Sequence, residues 1–226
     1  MAKMDEFREA REAIKHAPLK KRLEYFWDYY KLPTICVLIA VICLISILSN
    51  ILTRKEEVLN GIMLNRFWMQ EEYIESEDFV NSYLEYRGFD PSDFEMSLNS
   101  NLTYSVSGEP SVLEVDINVP QVIAVQAAAG ILDYMIADAA TVLAFDNMEC
   151  FVDLRDFFTR EELEGYKENL IFSGRDKTIP IAIDVTDSEC LSEIYAVQHE
   201  KLAIGLFVNA EHVDEFKCFL EYILAY

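Results

Sequence analysis

Histidine is the side chain best suited to proton transfer near neutral pH, and this chain has three: His16, His199 and His212. They are far apart in sequence, and none sits in an HExxH arrangement. There is also no GxSxG, no phosphate-cradling GxxxxGK[ST] loop and no CxxC pair. Asp90-Pro-Ser-Asp93-Phe-Glu95 carries the acids of a calcium loop but lacks its central glycine and distal glutamate. Asp184, Asp187 and Glu189 could hold a cation, but a solvated acidic loop is the better reading in a domain this acidic. The expectation is a non-enzymatic protein without catalytic residues, metal or cofactor. What remains for ligand chemistry are Asp138, Asp184 and Asn209, each closing a run of strand-type apolar residues. Open α/β sheets bind ligands at the carboxyl ends of their strands, which makes these three the candidate ligand-binding residues. Asp138 and Asn209 can also be read as helix N-caps.

The elements that must position these residues begin with a membrane-type segment. Residues 32–53 carry no charge, and Ile35 to Leu52 is almost wholly aliphatic. At about 1.5 Å per residue, roughly 20 such residues cross the hydrocarbon core of a bilayer. A cleaved signal peptide would have a shorter apolar stretch and a small-residue cleavage site, so an uncleaved signal anchor is expected. Residues 1–31 hold 8 Lys/Arg against 6 Asp/Glu, and residues 53–226 hold 11 against 34. The chain's net charge of −21 therefore divides into a mildly basic tail and a strongly acidic domain. Basic residues favour the cytoplasmic side, which places the N-terminus there and the C-terminal domain outside the cell membrane. The acidity of that domain argues against nucleic acid as a partner.

Within the tail, Glu6 to Arg22 alternates charge at helical spacing and is broken at Pro18. Tyr25, Phe26, Trp27, Tyr29 and Tyr30 then form an aromatic collar suited to the headgroup region. Cys36 and Cys43, seven residues apart, share a helix face. Cys150, Cys190 and Cys218 are too few and too scattered for a disulfide framework, so free thiols or a single pair are the options.

From residue 54 onward, apolar runs of strand type alternate with helical patterns. Strands are expected at Val58–Leu64, Phe94–Leu98, Leu102–Val106, Leu113–Val119, Leu132–Ala137, Ile179–Val185 and Leu202–Val208, with Asn99-Ser-Asn101 as a turn. Helices are expected from Ser76 to a stop at Gly88, and from a cap at Asn118 to a stop at Gly130. Others should run from Ala139 to Asp146, from the capping box Thr159-Arg-Glu-Glu162 to Glu168, and from Glu211 to Leu224. This reads as an α/β protein: a transmembrane helix, then a single three-layer domain with a mixed, mainly parallel sheet. The domains are a cytoplasmic tail (1–31), the span (32–53) and an extracytoplasmic domain (54–226).

Two stretches carry a resemblance. Residues 124–158 contain a helix ending Ala129-Gly130, a strand with Asp133, a helix from Ala139 to Asp146, and Asp153-Leu154. Residues 202–224 contain a strand, an Asn turn and a helix with a Phe-Leu stripe. Together they resemble one lobe of the extracellular solute-binding proteins, the periplasmic-binding type 2 fold. Leu23–Lys31 is similar to the segment before the span in single-pass membrane proteins of clostridial-type bacteria. Only 20 residues, 159–178, stand where a second lobe would be inserted, and one lobe cannot close on a ligand as a clamshell. The resemblance therefore implies a binding or interaction module for a small ligand or a partner protein, anchored in the bilayer through residues 32–53. The alternative is a structural or scaffolding subunit of a transporter-like membrane complex.

Overall fold

The computed structural model describes residues 18–52, 54–66, 76–104, 118–192, 194–195 and 201–225. His16, His199, most of the charged tail, the second half of the Leu102–Val106 run and nearly all of the Leu113–Val119 run lie outside them. The chain divides into two compact units, residues 1–54 and 55–226.

The described residues of the first unit form a helix, α1 (Leu19–Leu52), which begins directly after Pro18 and continues through Pro33. Proline removes one helical hydrogen bond, yet the flanking aliphatic run holds the helix on either side. Lys31–Ser49 has a mean hydropathy of 2.7 and is exposed along its length, and it is long and apolar enough to cross a membrane. A folded soluble helix would bury such a surface, because each exposed aliphatic side chain forgoes about 1.5–3 kcal/mol of transfer free energy. Trp27 of the aromatic collar is exposed; the side chains of Tyr25, Phe26, Tyr29 and Tyr30 lie outside the described part.

The second unit is an α/β domain. Its elements are β1 (Glu56–Leu64), α2 (Ser76–Arg87), β2 (Phe94–Leu102), α3 (Val119–Ala128), β3 (Tyr134–Asp138) and α4 (Ala139–Asp146). A 3₁₀ turn (Leu154–Asp156) follows, then α5 (Arg160–Gly165), β4 (Leu170–Phe172), β5 (Pro180–Asp184), α6 (Glu189–Ser192), β6 (Leu202–Leu206) and α7 (Val213–Ala225). The strands form one mixed sheet in the order β2-β1-β3-β6-β5-β4.

The sheet is not mainly parallel. β1 runs parallel to β2 and β3, but the β3–β6, β6–β5 and β5–β4 pairs are antiparallel. β5 and β6 are buried at every position, and a continuous apolar run reports burial on both faces rather than direction. β4 and β5 are joined through a short turn, which suits an antiparallel pair and is too short for a parallel crossover.

Local chemistry sets most helix ends. Gly88 takes φ +74°, and the amides of Gly88 and Phe89 bond back to Glu85 and Leu84, closing α2 with a left-handed cap. Asp138 caps α4 through Thr141, and Thr159 and Glu162 form a reciprocal capping box on α5. Asn118 does not cap α3: its backbone is already helical (φ −91°, ψ −7°), and a cap requires the extended conformation. The Asn99-Ser-Asn101 turn does not form either. β2 runs through it with a register irregularity opposite β1, and the Asn99 side chain accepts from the Asn101 amide. Ladder pairing with β1 overrides the local turn preference.

Residues of alternating parity build two core clusters. Leu59, Met63, Tyr134, Ile136, Ile204 and Leu206 pack with α2 and α7. Ile62, Leu64, Met135, Ala137, Ala203 and Phe207 pack with α3 and α4. In the first cluster Tyr83 of α2 meets Phe219 edge-on at 5.0 Å, and Phe219 lies 5.1 Å from Tyr134 of β3. None of the five cysteines forms a disulfide.

Candidate functional site

The strand directions place the three candidate ligand residues. β1, β2, β3 and β5 point the same way, and β6 points opposite. Asp138 and Asp184 therefore share one end of the sheet, where they pair with Leu202 and Ala203 at the start of β6. Asn209, after β6, lies at the other end.

Asp138 is fully engaged by its own chain. Its Oδ1 accepts from the Thr141 amide at 2.8 Å, and its Oδ2 accepts from the Thr141 hydroxyl and from Asn65 Nδ2, both at 2.8 Å. Asn65, in the left-handed region at φ 61°, also accepts from the Tyr104 amide at 2.8 Å. The neighbouring Arg66 is buried and donates to Ser100 Oγ at 3.2 Å. Asp184 accepts from the Thr186 amide at 3.0 Å and its hydroxyl at 2.5 Å, and from Lys201 Nζ at 2.6 Å. Burial works against its ionisation, but the bonds from Lys201 and Thr186 outweigh burial and hold the carboxyl below its ordinary range. Neither carboxylate is left aiming at open space. Asn209 donates to the Ala128 carbonyl at 2.9 Å, where it closes the end of α3 beside Gly130.

The sequence gives little notice of the most heavily bonded buried acid among the described residues, Asp133. Its side chain is 1% exposed and accepts four bonds: from the amides of Asn60 (2.8 Å), Glu211 (2.9 Å) and His212 (3.0 Å), and from the His212 ring at Nδ1 (2.9 Å). An Asp–His pair is the orienting half of a nucleophilic triad. Among the described residues, no hydroxyl or thiol bonds to the far nitrogen of His212. The pair ties β1, the start of β3 and the start of α7 together. Partners 73 and 79 residues apart leave no local signature.

Glu215 is a second such tie. It accepts from Arg87 Nε at 2.7 Å and Nη2 at 2.9 Å, and from the Tyr83 hydroxyl. Burial raises the Tyr83 pKa, and the Glu215 bond raises it further. For Glu215, burial opposes ionisation, but the bonds from Arg87 and Tyr83 prevail and its pKa falls. A carboxyl lowered in the fold stabilises it above the unfolded-state pKa of about 4.3, and that contribution is lost as pH falls through the folded value. Glu215→Gln is expected to cost about 1–2 kcal/mol at pH 7, and progressively less as the pH falls below the unfolded-state pKa. Urea midpoints of the two proteins measured against pH check this: the curves should converge in acid.

Among the described residues no three His, Cys, Asp or Glu side chains are placed to hold a metal ion, the Asp184–Glu189 segment included. A cleft of about 300 Å³ lies between α2 and β2, floored by Val80, Leu84, Phe94, Met96 and Leu98 and rimmed by Lys55, Glu77 and Glu95. Nothing in the sequence marked it, because its walls come from two elements whose packing only the fold sets. Comparison of the chain with protein-family models, with curated proteins and with solved structures finds no match.

Proposed function

We propose that this chain is a single-pass membrane-anchored, non-catalytic interaction module whose C-terminal domain, built like one lobe of a solute-binding protein, docks a partner protein outside the cell membrane. The observation that carries this reading is the state of the strand ends. Asp138 and Asp184, the groups a small ligand would need, are saturated by Asn65, Thr141, Thr186 and Lys201. A small-ligand site needs a few convergent polar groups with unmet bonds in a concave pocket. The two core clusters, formed with α2 and α7 and with α3 and α4, support the three-layer reading of the domain.

A scaffolding role is the second reading, and α3 favours it. Residues 117–132 carry no charge, and Val122, Val125 and Ile131 are 47%, 68% and 55% exposed in an otherwise acidic domain. Exposed apolar patches of this kind mark contact surfaces.

Two measurements test the proposal. After alkaline extraction the full chain is expected to stay with the membrane pellet, and a chain beginning at residue 55 should be soluble. In intact cells, external protease should degrade residues 60–226; protection of that segment would reverse the orientation. A thermal-shift screen with amino acids, sugars and short-chain acids should be silent. A reproducible shift with one of them would replace docking by ligand capture.

A further inference from the structure

We infer that the cleft between α2 and β2 binds an extended peptide with alternating apolar and basic residues, which adds as a strand to the outer edge of β2. This rests on the reading of the domain as an interaction module and names the chemistry of its partner. β2 is a terminal strand of the sheet, and among the described residues no strand pairs with its outer side. Asp93 C=O bonds to the Glu56 amide, so strand alternation turns the main-chain groups of Met96 and Leu98, and the Phe94 carbonyl, to that outer side; the Phe94 amide is already bonded to Asp90 C=O at 3.0 Å. Edges meant to stay unpaired are blunted by lysine, by proline or by being short. β2 is nine residues long and contains neither lysine nor proline.

The helix beside the edge supplies specificity. A strand laid on β2 would send every second side chain, about 6.6–6.8 Å apart, toward α2. There it meets the cleft of about 300 Å³ and its floor of Val80, Leu84 and Met96. Side chains of the other parity would stand on the opposite face, where Glu95, Ser97 and Asn99 of β2 are exposed. Residues 77–95 hold six acidic residues and one basic residue, Arg87, which is bound to Glu215, and Lys55 sets a single cation on the rim against this acidic surplus. The neighbourhood therefore selects cations for the polar side chains of the peptide and excludes acidic ones. A helix flanking an open strand edge is a recurring geometry of peptide recognition by strand addition.

The test uses the full chain in nanodiscs and fluorescein-labelled Lys-Val-Lys-Leu-Lys-Val-Lys, read by fluorescence anisotropy. Three comparison peptides accompany it: the same composition with the apolar residues clustered, the alternating peptide N-methylated at every second residue, and its Glu-for-Lys analogue. The alternating peptide should bind at least tenfold more tightly than any of these. It should also slow amide exchange at Met96 and Leu98. Asn81→Arg, which fills the cleft from α2, and Glu95→Lys should each weaken binding at least tenfold with the melting temperature unchanged. Equal binding of the alternating and clustered peptides without exchange protection would show only attraction of cations to an acidic domain and overturn the proposal. Absence of binding would also overturn it, leaving the interaction-module reading in place if the small-molecule screen is silent. A shift with an amino acid or sugar would remove both.

Discussion

Asp133→Ala is expected to destabilise the C-terminal domain by about 3–5 kcal/mol, a large fraction of the roughly 5–15 kcal/mol that a domain commonly has. The substitution removes the acceptor for three backbone amides, Asn60, Glu211 and His212, and for the His212 ring. The carboxylate is 1% exposed, so water cannot take its place without the structure opening. Each buried donor left without a partner costs about 1–3 kcal/mol, and the three lie on segments far apart in sequence. Asp133→Asn keeps one acceptor oxygen and should fall between wild type and alanine. Denaturant unfolding of the three proteins, followed by tyrosine fluorescence, reads this. The destabilisation should appear with an unchanged denaturant slope, because the folded and unfolded surfaces are the same. A loss below 1 kcal/mol for alanine would mean that the tie between β1 and α7 is redundant.

Gly61→Ala is expected to cost about 3 kcal/mol or more, the upper part of the range for overpacking. Gly61 on β1 stands directly across from Tyr134 on β3, and a β-carbon there would lie within the tyrosine ring, close to Cζ, Cε1 and the hydroxyl oxygen. The ring cannot retreat: Tyr134 is fully buried, with Phe216 and Phe219 at 6.0 and 5.1 Å. The glycine is thus a space for a cross-strand aromatic rather than a flexible joint. The test is a double-mutant cycle with Tyr134→Leu. The leucine variant alone loses packing, but in its background Gly61→Ala should cost less than 1 kcal/mol, because the clash is gone. Additive losses would place the strain elsewhere. Among the described residues the Tyr134 hydroxyl has no hydrogen-bond partner, which agrees with a side chain selected for ring volume over polarity.

Both effects come from contacts that sequence cannot display. What the residues determined by themselves was local or periodic. The charge-free run 32–53 became the exposed apolar part of α1, because length and hydropathy alone decide whether a helix can cross a bilayer. Gly88, Asp138 and Thr159–Glu162 ended and capped their helices as their side-chain chemistry requires. The runs at Leu132–Ala137 and Leu202–Val208 became β3 and β6 within a residue or two. The tertiary structure alone decided strand direction. β6 enters the sheet antiparallel to both neighbours, which separates Asn209 from Asp138 and Asp184. It also decided that the two aspartates would be spent on Asn65, Thr141, Thr186 and Lys201, that Asp133 would gather donors from β1 and the start of α7, and that α2 and β2 would enclose a cleft. The physical reason is range. Propensity, capping and hydropathy act within a turn or along one element, whereas a buried carboxylate or a cleft is completed by groups brought together from distant parts of the chain, under the requirement that buried polar groups find partners.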